Sequence, residues 1–288
     1  MFEHRIRQLV ERGIIPDDSE IITQTNNLIL RSRNSMTVAR VSLPEMTTGR
    51  DDPQDISYSH HIAWAMSAEG HPVLQPLMPE PIELDDMTIS LFPLANNVEW
   101  SAQQPADIAR LMQDFSSFQS SALRTMDVPR YTAERLERVK HQAYRHNQKL
   151  YELIADLRQQ QQMNYDLNKA RKGTIHGDVH SANLVDDKGE IKFIDLDASA
   201  RGPLPYDLSS WKLRQSLFDH HIDVDAIIEY ARKSKDWEEE AYMALLGWKA
   251  LSSLTYTLAY EKEDQIVDRA NTIGRVAKKL GSLSWRVL

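Results

Sequence analysis

The chain has 288 residues, 41% of them hydrophobic and 26% charged, which is enough for a sizeable core in one large domain or two modest ones. A formal net charge of -8 argues against a nucleic acid or an anionic membrane held by electrostatics, so a polyanion such as a nucleotide would need metal ions and local cations. The absence of cysteine excludes disulfides, thiolate catalysis and cysteine metal sites, and the charged start MFEHRIRQLVERGIIP makes a soluble, cytoplasmic protein the expectation.

Ile6, Leu9 and Val10 at helical spacing ahead of Gly13 predict a short capping helix. Residues 21–41 then read as antiparallel strands joined by hairpins, with polar turns at 23–27 and at Asn34 and Ser35. ISYSHHIAWAMSAEGHP predicts a helix closed by Gly70, with Pro72 just beyond. VLQPL (73–77) and MTISLFPL (87–94) read as two further strands. After Leu94 the polar, Ala/Leu/Gln-rich stretches 105–124 and 131–169 predict helices, the glutamine run 159–162 being a solvated helix end. A compact β-like island follows at 174–197, with DDKGE as its hairpin turn. From Tyr206 onward apolar stripes containing Trp211, Leu213, Trp248 and Leu251 predict helices again. The expected class is α+β: a small strand-rich lobe over 1–94 and a larger helical lobe over 95–288, with ligand bound in the cleft they form.

The chemistry concentrates in TIHGDVHSAN (174–183) and FIDLD (193–197). Asp178 is presented at the end of a strand, Asn183 lies five residues on, and Asp195 sits on the return strand of the hairpin. Folding that hairpin should bring Asn183 and Asp195 near each other, with Asp178 facing them. An amide oxygen and carboxylates are the hard donors that magnesium takes when phosphates complete its shell. A carboxylate without metal could accept or orient a hydroxyl proton.

Protein kinases build their catalytic loop on this spacing. With HGD followed by His180, and Asp195 followed by Asp197, the sequence resembles the aminoglycoside phosphotransferase and choline kinase family of small-molecule kinases. EGHPVLQPL and RGPLPYDLSSW resemble further segments of that family. The resemblance implies a two-lobed protein-kinase-like fold and transfer of the γ-phosphate of ATP, with magnesium, to a hydroxyl of a small molecule such as an amino sugar, an amino alcohol or a sugar. It implies Asp178 as base or hydroxyl-orienting residue, Asn183 and Asp195 as magnesium ligands, and Asp197 as a second metal ligand or a residue facing substrate. His176 and Asp207 would brace the catalytic loop. Arg40 would grip the α/β-phosphates, being always charged and well forked for the task. The adenine would lie against Phe92 and Leu94.

The turn TQTNN holds no glycine where the family carries a glycine-rich one, so Gln24, Asn26 and Asn27 would cover the phosphates. Where the family helix carries a glutamate for the phosphate cation, this chain has Tyr58, Ser59 or His60, with Asp55 a turn earlier. DHHID (219–223) reads as a solvated turn rather than a metal cluster, and Trp211, Trp248 and Tyr256 as core rather than an aromatic wall for a cation. The acidic stretch DWEEEAY (236–242) is compatible with a cationic acceptor. A nucleotide-binding pseudokinase without turnover is the competing expectation, and a metal-dependent phosphoesterase is a third.

Overall fold

The structure is a computed structural model and describes residues 2–24, 27–42, 56–146, 148–218, 222–260 and 263–283. The chain divides into two compact units, Met1–Val98 with Ala182–Ala198, and Glu99–Ser181 with Ser199–Leu288. Among the described residues no helix is long and apolar enough to cross a membrane.

In the first unit, helix α1 (Phe2–Glu11) precedes a five-stranded antiparallel sheet of β1 (Glu20–Gln24), β2 (Leu28–Ser32), β3 (Thr37–Ser42), β4 (Ile82–Leu84) and β5 (Met87–Pro93), in the order β1-β2-β3-β5-β4. Period-two alternation decides its faces: Leu28, Leu30, Ala39, Val41, Met87 and Ile89 are buried in one cluster that Leu9 and Ile15 close. Arg40, between Ala39 and Val41, therefore points to the opposite face, level with Ile29 and Ser90 on the neighbouring strands. Helix α2 (Ile56–Ala68) packs on β3 and β5, and Gly70 follows with a φ of 84° that suits glycine.

The expected strand over 73–77 is not one. Pro72 and Pro76 have no N–H for a ladder, and the segment makes scattered contacts instead of one: Leu74 N–H donates to the Phe193 carbonyl at 3.0 Å, Phe193 N–H to the Pro72 carbonyl at 2.8 Å, and Leu77 N–H to the Leu91 carbonyl at 2.8 Å. A small second sheet joins β6 (Asn96–Asn97), β8 (Leu184–Asp187) and β9 (Glu190–Phe193).

In the second unit, β7 (Lys172–Ile175) pairs with β10 (Ala200–Pro203), and the rest is helical: α3 (Pro105–Ser117), α4 (Val128–His146), α5 (Gln148–Asn164), α6 (Tyr206–Phe218), α7 (Val224–Ala231), α8 (Glu239–Tyr260) and α9 (Glu263–Lys279). Helix α8 packs against α4, α5, α6 and α9. Trp211 and Trp248 are fully buried in this packing, as expected, whereas Tyr256 is 52% exposed. The helix expected over 105–124 stops at Ser117, because Phe118 turns extended to bury its ring and its carbonyl accepts from the buried Thr174 hydroxyl. The helix expected over 131–169 is two, α4 and α5, followed by a 3-10 turn at Leu167–Lys169.

Candidate active site

The hairpin β8–β9 is made by its turn. Lys188 and Gly189 take φ of 58° and 91°, both left-handed, which is the geometry that matches strand twist in a two-residue hairpin, and Asp186 Oδ1 accepts the Gly189 N–H at 2.6 Å. The register this sets, Asp187 opposite Glu190 through Leu184 opposite Phe193, carries to the open end. There Ile194 N–H donates to the Asn183 carbonyl at 3.0 Å, which sets Asn183 opposite Ile194, the residue before Asp195. Asn183 is buried; the Asp195 side chain is 43% exposed, on a backbone with φ of 63°. Such left-handed strain in a residue other than glycine concentrates at functional sites.

Asp197 lies two residues on, in a 3-10 turn (Leu196–Ala198) that packs against α2. Arg40 meets it in a fork: Nη1 donates to Oδ1 at 2.8 Å and Nη2 to Oδ2. Arg40 Nη2 also lies 3.1 Å from Asp195 Oδ1, and Nη1 lies 3.4 Å from the Ser59 hydroxyl. Burial pulls the Arg40 pKa down, but the two carboxylates outweigh it and hold the guanidinium charged. Burial pushes Asp197 up against the pull of Arg40. Ser59 thus stands where a helix carboxylate was expected, and Asp197 supplies the negative partner. His60, next to it, is a core residue whose ring nitrogens contact the Ser90 hydroxyl at 2.9 Å and the Met78 carbonyl at 3.0 Å.

For a divalent cation, the donor chemistry fits at Asn183 and Asp195, an amide and a half-exposed carboxylate. Both Asp197 oxygens are already engaged by Arg40. Among the described residues no group of three or more His, Asp or Glu side chains is gathered for a metal.

In the second unit, β7 runs into His176 and Gly177, whose N–H groups donate to Asp207 at the start of α6, at 2.7 and 2.9 Å. Gly177 has φ of 86°. Burial raises the Asp207 pKa against these amides and His176. The brace expected of His176 and Asp207 is thus a direct main-chain clamp on the two residues before Asp178. Around the Asp178 carboxylate stand His180 Nε2 at 3.6 Å and Arg214 Nη1 at 3.4 Å. Burial would push Asp178 up; His180, the Lys249 ammonium and Arg214 reverse this and hold it far below the usual carboxylate range. Lys249, on α8, has its ammonium 3.4 Å from the Tyr206 hydroxyl. Burial would lower its pKa; Tyr206, Asp178 and Asp207 keep it raised.

Of the other residues expected at the site, Gln24 is exposed at the end of β1, and Asn27 is buried ahead of β2. Asn26, Asp55 and residues 219–221 of DHHID lie outside the described residues. Phe92 pairs with Val38 across β3 and β5, and Leu94 N–H donates to the Met36 carbonyl at 2.8 Å. Sequence reading overlooked Arg214 and Lys249. For Arg214 a signal was present: seven residues from Asp207 is two helical turns, hence the same face.

A family model described as the Phosphotransferase enzyme family matches residues 82–245, more than half of the chain. The chain belongs to that family. The resemblance read from HGD and IDLD is therefore correct, and the enzyme class expected, a phosphotransferase with an alcohol acceptor, is the one that membership gives. A search of curated proteins gave no match. Among solved structures, this phosphotransferase is similar to a point mutant of aminoglycoside 2'-phosphotransferase-IIIa in a GDP complex, with 12% identity, TM-score 0.69, and coverage of 97% of this chain and 98% of that one. It is similar to amicoumacin kinase hAmiN in complex with AMP-PNP, Ca2+ and Ami, with 13% identity, TM-score 0.66, and coverage of 96% and 95%. It is similar to choline kinase LicA from Streptococcus pneumoniae, with 12% identity, TM-score 0.66, and coverage of 98% and 99%. These likenesses show that the phosphotransferase has the α+β kinase-like fold expected of it.

Proposed function

We propose that this phosphotransferase moves the γ-phosphate of ATP to a hydroxyl of a small molecule in a magnesium-dependent reaction, in the cytoplasm. The observation that supports this most is at the open end of the hairpin, where the Asn183 carbonyl accepts from Ile194 N–H and the next residue, Asp195, holds its carboxylate 3.1 Å from the charged Arg40. Residues 1–94 serve the nucleotide in this reading, and residues 95–288 carry Asp178 and the acceptor site. Magnesium, held by Asn183 and Asp195, supplies neutralisation of phosphate charge. Arg40 grips phosphate oxygens while Asp197 and Ser59 fix its fork. Gln24, Asn26 and Asn27 cover the phosphates, and Phe92 and Leu94 flank the base.

Asp178 accepts the hydrogen bond of the acceptor hydroxyl and orients its oxygen for in-line attack. Its low pKa makes it a weak base and a permanently ionised acceptor, which suits a loose transition state in which proton removal is late. Positioning and charge neutralisation then supply most of the rate.

ADP release from ATP and magnesium across a panel of hydroxyl compounds tests the reading. Acceptor-dependent turnover that Asp178→Asn abolishes is the expected result. Nucleotide binding that is indifferent to magnesium, with no turnover on any acceptor, would establish instead the non-catalytic nucleotide binder that the glycine-free turn at 23–27 favours.

A further inference from the structure

The surroundings of Asp178 carry more positive charge than an ionised aspartate needs. Arg214 reaches it with one nitrogen at the long distance of 3.4 Å, and its side chain is 39% exposed. Among the described residues Arg214 has no other hydrogen-bond or ion-pair partner, so the rest of its fork is unused. Lys249, from a different helix, keeps its ammonium charged with a neutral hydroxyl, Tyr206, as its hydrogen-bond partner at 3.4 Å. Asp207, which also favours the charged form of Lys249, is committed to the amides of His176 and Gly177. His180 adds a third group that can carry positive charge, 3.6 Å from Asp178.

Three of the four acids in the stretch 236–242, which from sequence alone is compatible with a cationic acceptor, are engaged locally, the exposed Glu240 being the exception. Asp236 pairs with Arg171, Glu238 accepts the Arg171 N–H at 3.1 Å, and Glu239 accepts from Arg232 at 2.8 Å and from the Trp237 indole at 2.7 Å. Acids already committed to a local ion pair or main-chain N–H offer less to an incoming amine.

We propose that the acceptor carries an anionic group, a carboxylate or a phosphate, close to the hydroxyl that is phosphorylated, and that Arg214 together with Lys249 reads that group. This rests on the phosphotransferase reading given above, with Asp178 at the acceptor hydroxyl. A planar guanidinium with free donors is the side chain best matched to two oxygens of a carboxylate or phosphate. A buried ammonium facing a neutral oxygen gains from the arrival of a negative charge. The same two cations repel a protonated amine, which builds discrimination against amino sugars and amino alcohols into the site.

The test is a steady-state assay with ATP and magnesium on charge-matched sets: hydroxy acids against their amides, sugar phosphates against the parent sugars, and amino sugars and amino alcohols as the cationic set. The carboxylate and phosphate arms tell which anion is read. The expected result is a kcat/KM for an anionic member at least about tenfold above that of its neutral counterpart, with Arg214→Gln raising its KM about ten- to a hundredfold while kcat changes less. Arg214→Lys should recover part of that preference, which a merely structural role for Arg214 would not produce. If no anionic compound is turned over, or if a neutral or cationic one is preferred in wild type and in Arg214→Gln alike, the inference is overturned. Calorimetric titration of ATP with and without magnesium, made without acceptor, separates the failures: magnesium-dependent binding leaves the kinase reading standing when the anion inference falls.

Discussion

Arg40 and Asp197 bind each other through both prongs of the guanidinium, Nη1 to Oδ1 at 2.8 Å and Nη2 to Oδ2, and the two side chains are 11% and 13% exposed. A pair held this way is costly to break from one side, because the surviving charge remains buried. Asp197→Ala should therefore lower stability by about 3 kcal/mol in a denaturant titration. The double change Arg40→Met with Asp197→Leu should return most of that stability, since apolar residues of similar volume replace buried pairs well. It should still raise the KM for ATP by about tenfold or more, a loss of about 1.4 kcal/mol in binding. Recovery of both stability and ATP affinity would make Arg40 a purely structural residue.

Asp178→Asn keeps the shape of the side chain and removes its charge. It should reduce kcat by about a hundredfold to ten-thousandfold, the usual contribution of such a group, with little change in ATP affinity. Steady-state kinetics with the acceptor saturating reads this directly.

The ionisation of Asp178 also fixes a pH dependence. Its folded pKa is depressed, by His180, Lys249 and Arg214 against burial, so the stability it contributes is complete above the unfolded value, near 4, and is lost as pH falls below that. Thermal midpoints of wild type should fall more steeply than those of Asp178→Asn only below about pH 4. The acid limb of kcat/KM should show no protonation of Asp178 between about pH 5 and 8.

Asp195 has a left-handed backbone, φ 63°, which asparagine tolerates and alanine does not. Asp195→Asn should keep the fold and abolish most of the strengthening of nucleotide binding by magnesium, measured by calorimetry with and without chelator. Asp195→Ala should show the same loss and cost about 1 kcal/mol more in stability.

The N–H groups of His176 and Gly177 depend on one buried carboxylate. Asp207→Ala leaves both unsatisfied and should destabilise by about 2–4 kcal/mol. Asp207→Asn, with one oxygen left to accept, should cost less, and chemical denaturation of the two variants side by side checks the order.

Much of this was readable from residues. Apolar alternation fixed β2 and β3 and so placed Arg40 on the face away from the core, and the turn chemistry of Lys188 and Gly189 set the register that carries to Asn183 opposite Ile194. The clamp of Asp207 on the loop at His176 and Gly177 was legible from its place in the PYDLSSW segment. The missing strand at 73–77 misled because its apolar run obscured what two prolines remove from a ladder. The cations around Asp178 were hidden for a different reason: Lys249 reaches it from a helix 71 positions later, a proximity that only tertiary packing creates. Ser59 was visible as a departure from the family, but the identity of its substitute, Asp197, depended on how the turn at Leu196–Ala198 seats against α2.

The bond from Asp207 to two consecutive amides ties the end of strand β7 to the first turn of α6. Fraying of that first turn would release both amides at once and let the Asp178 loop go slack. Hydrogen exchange at His176 and Gly177 should accordingly keep the same pace as exchange in early α6, so that the Asp178 loop is no longer-lived than the helix end that holds it.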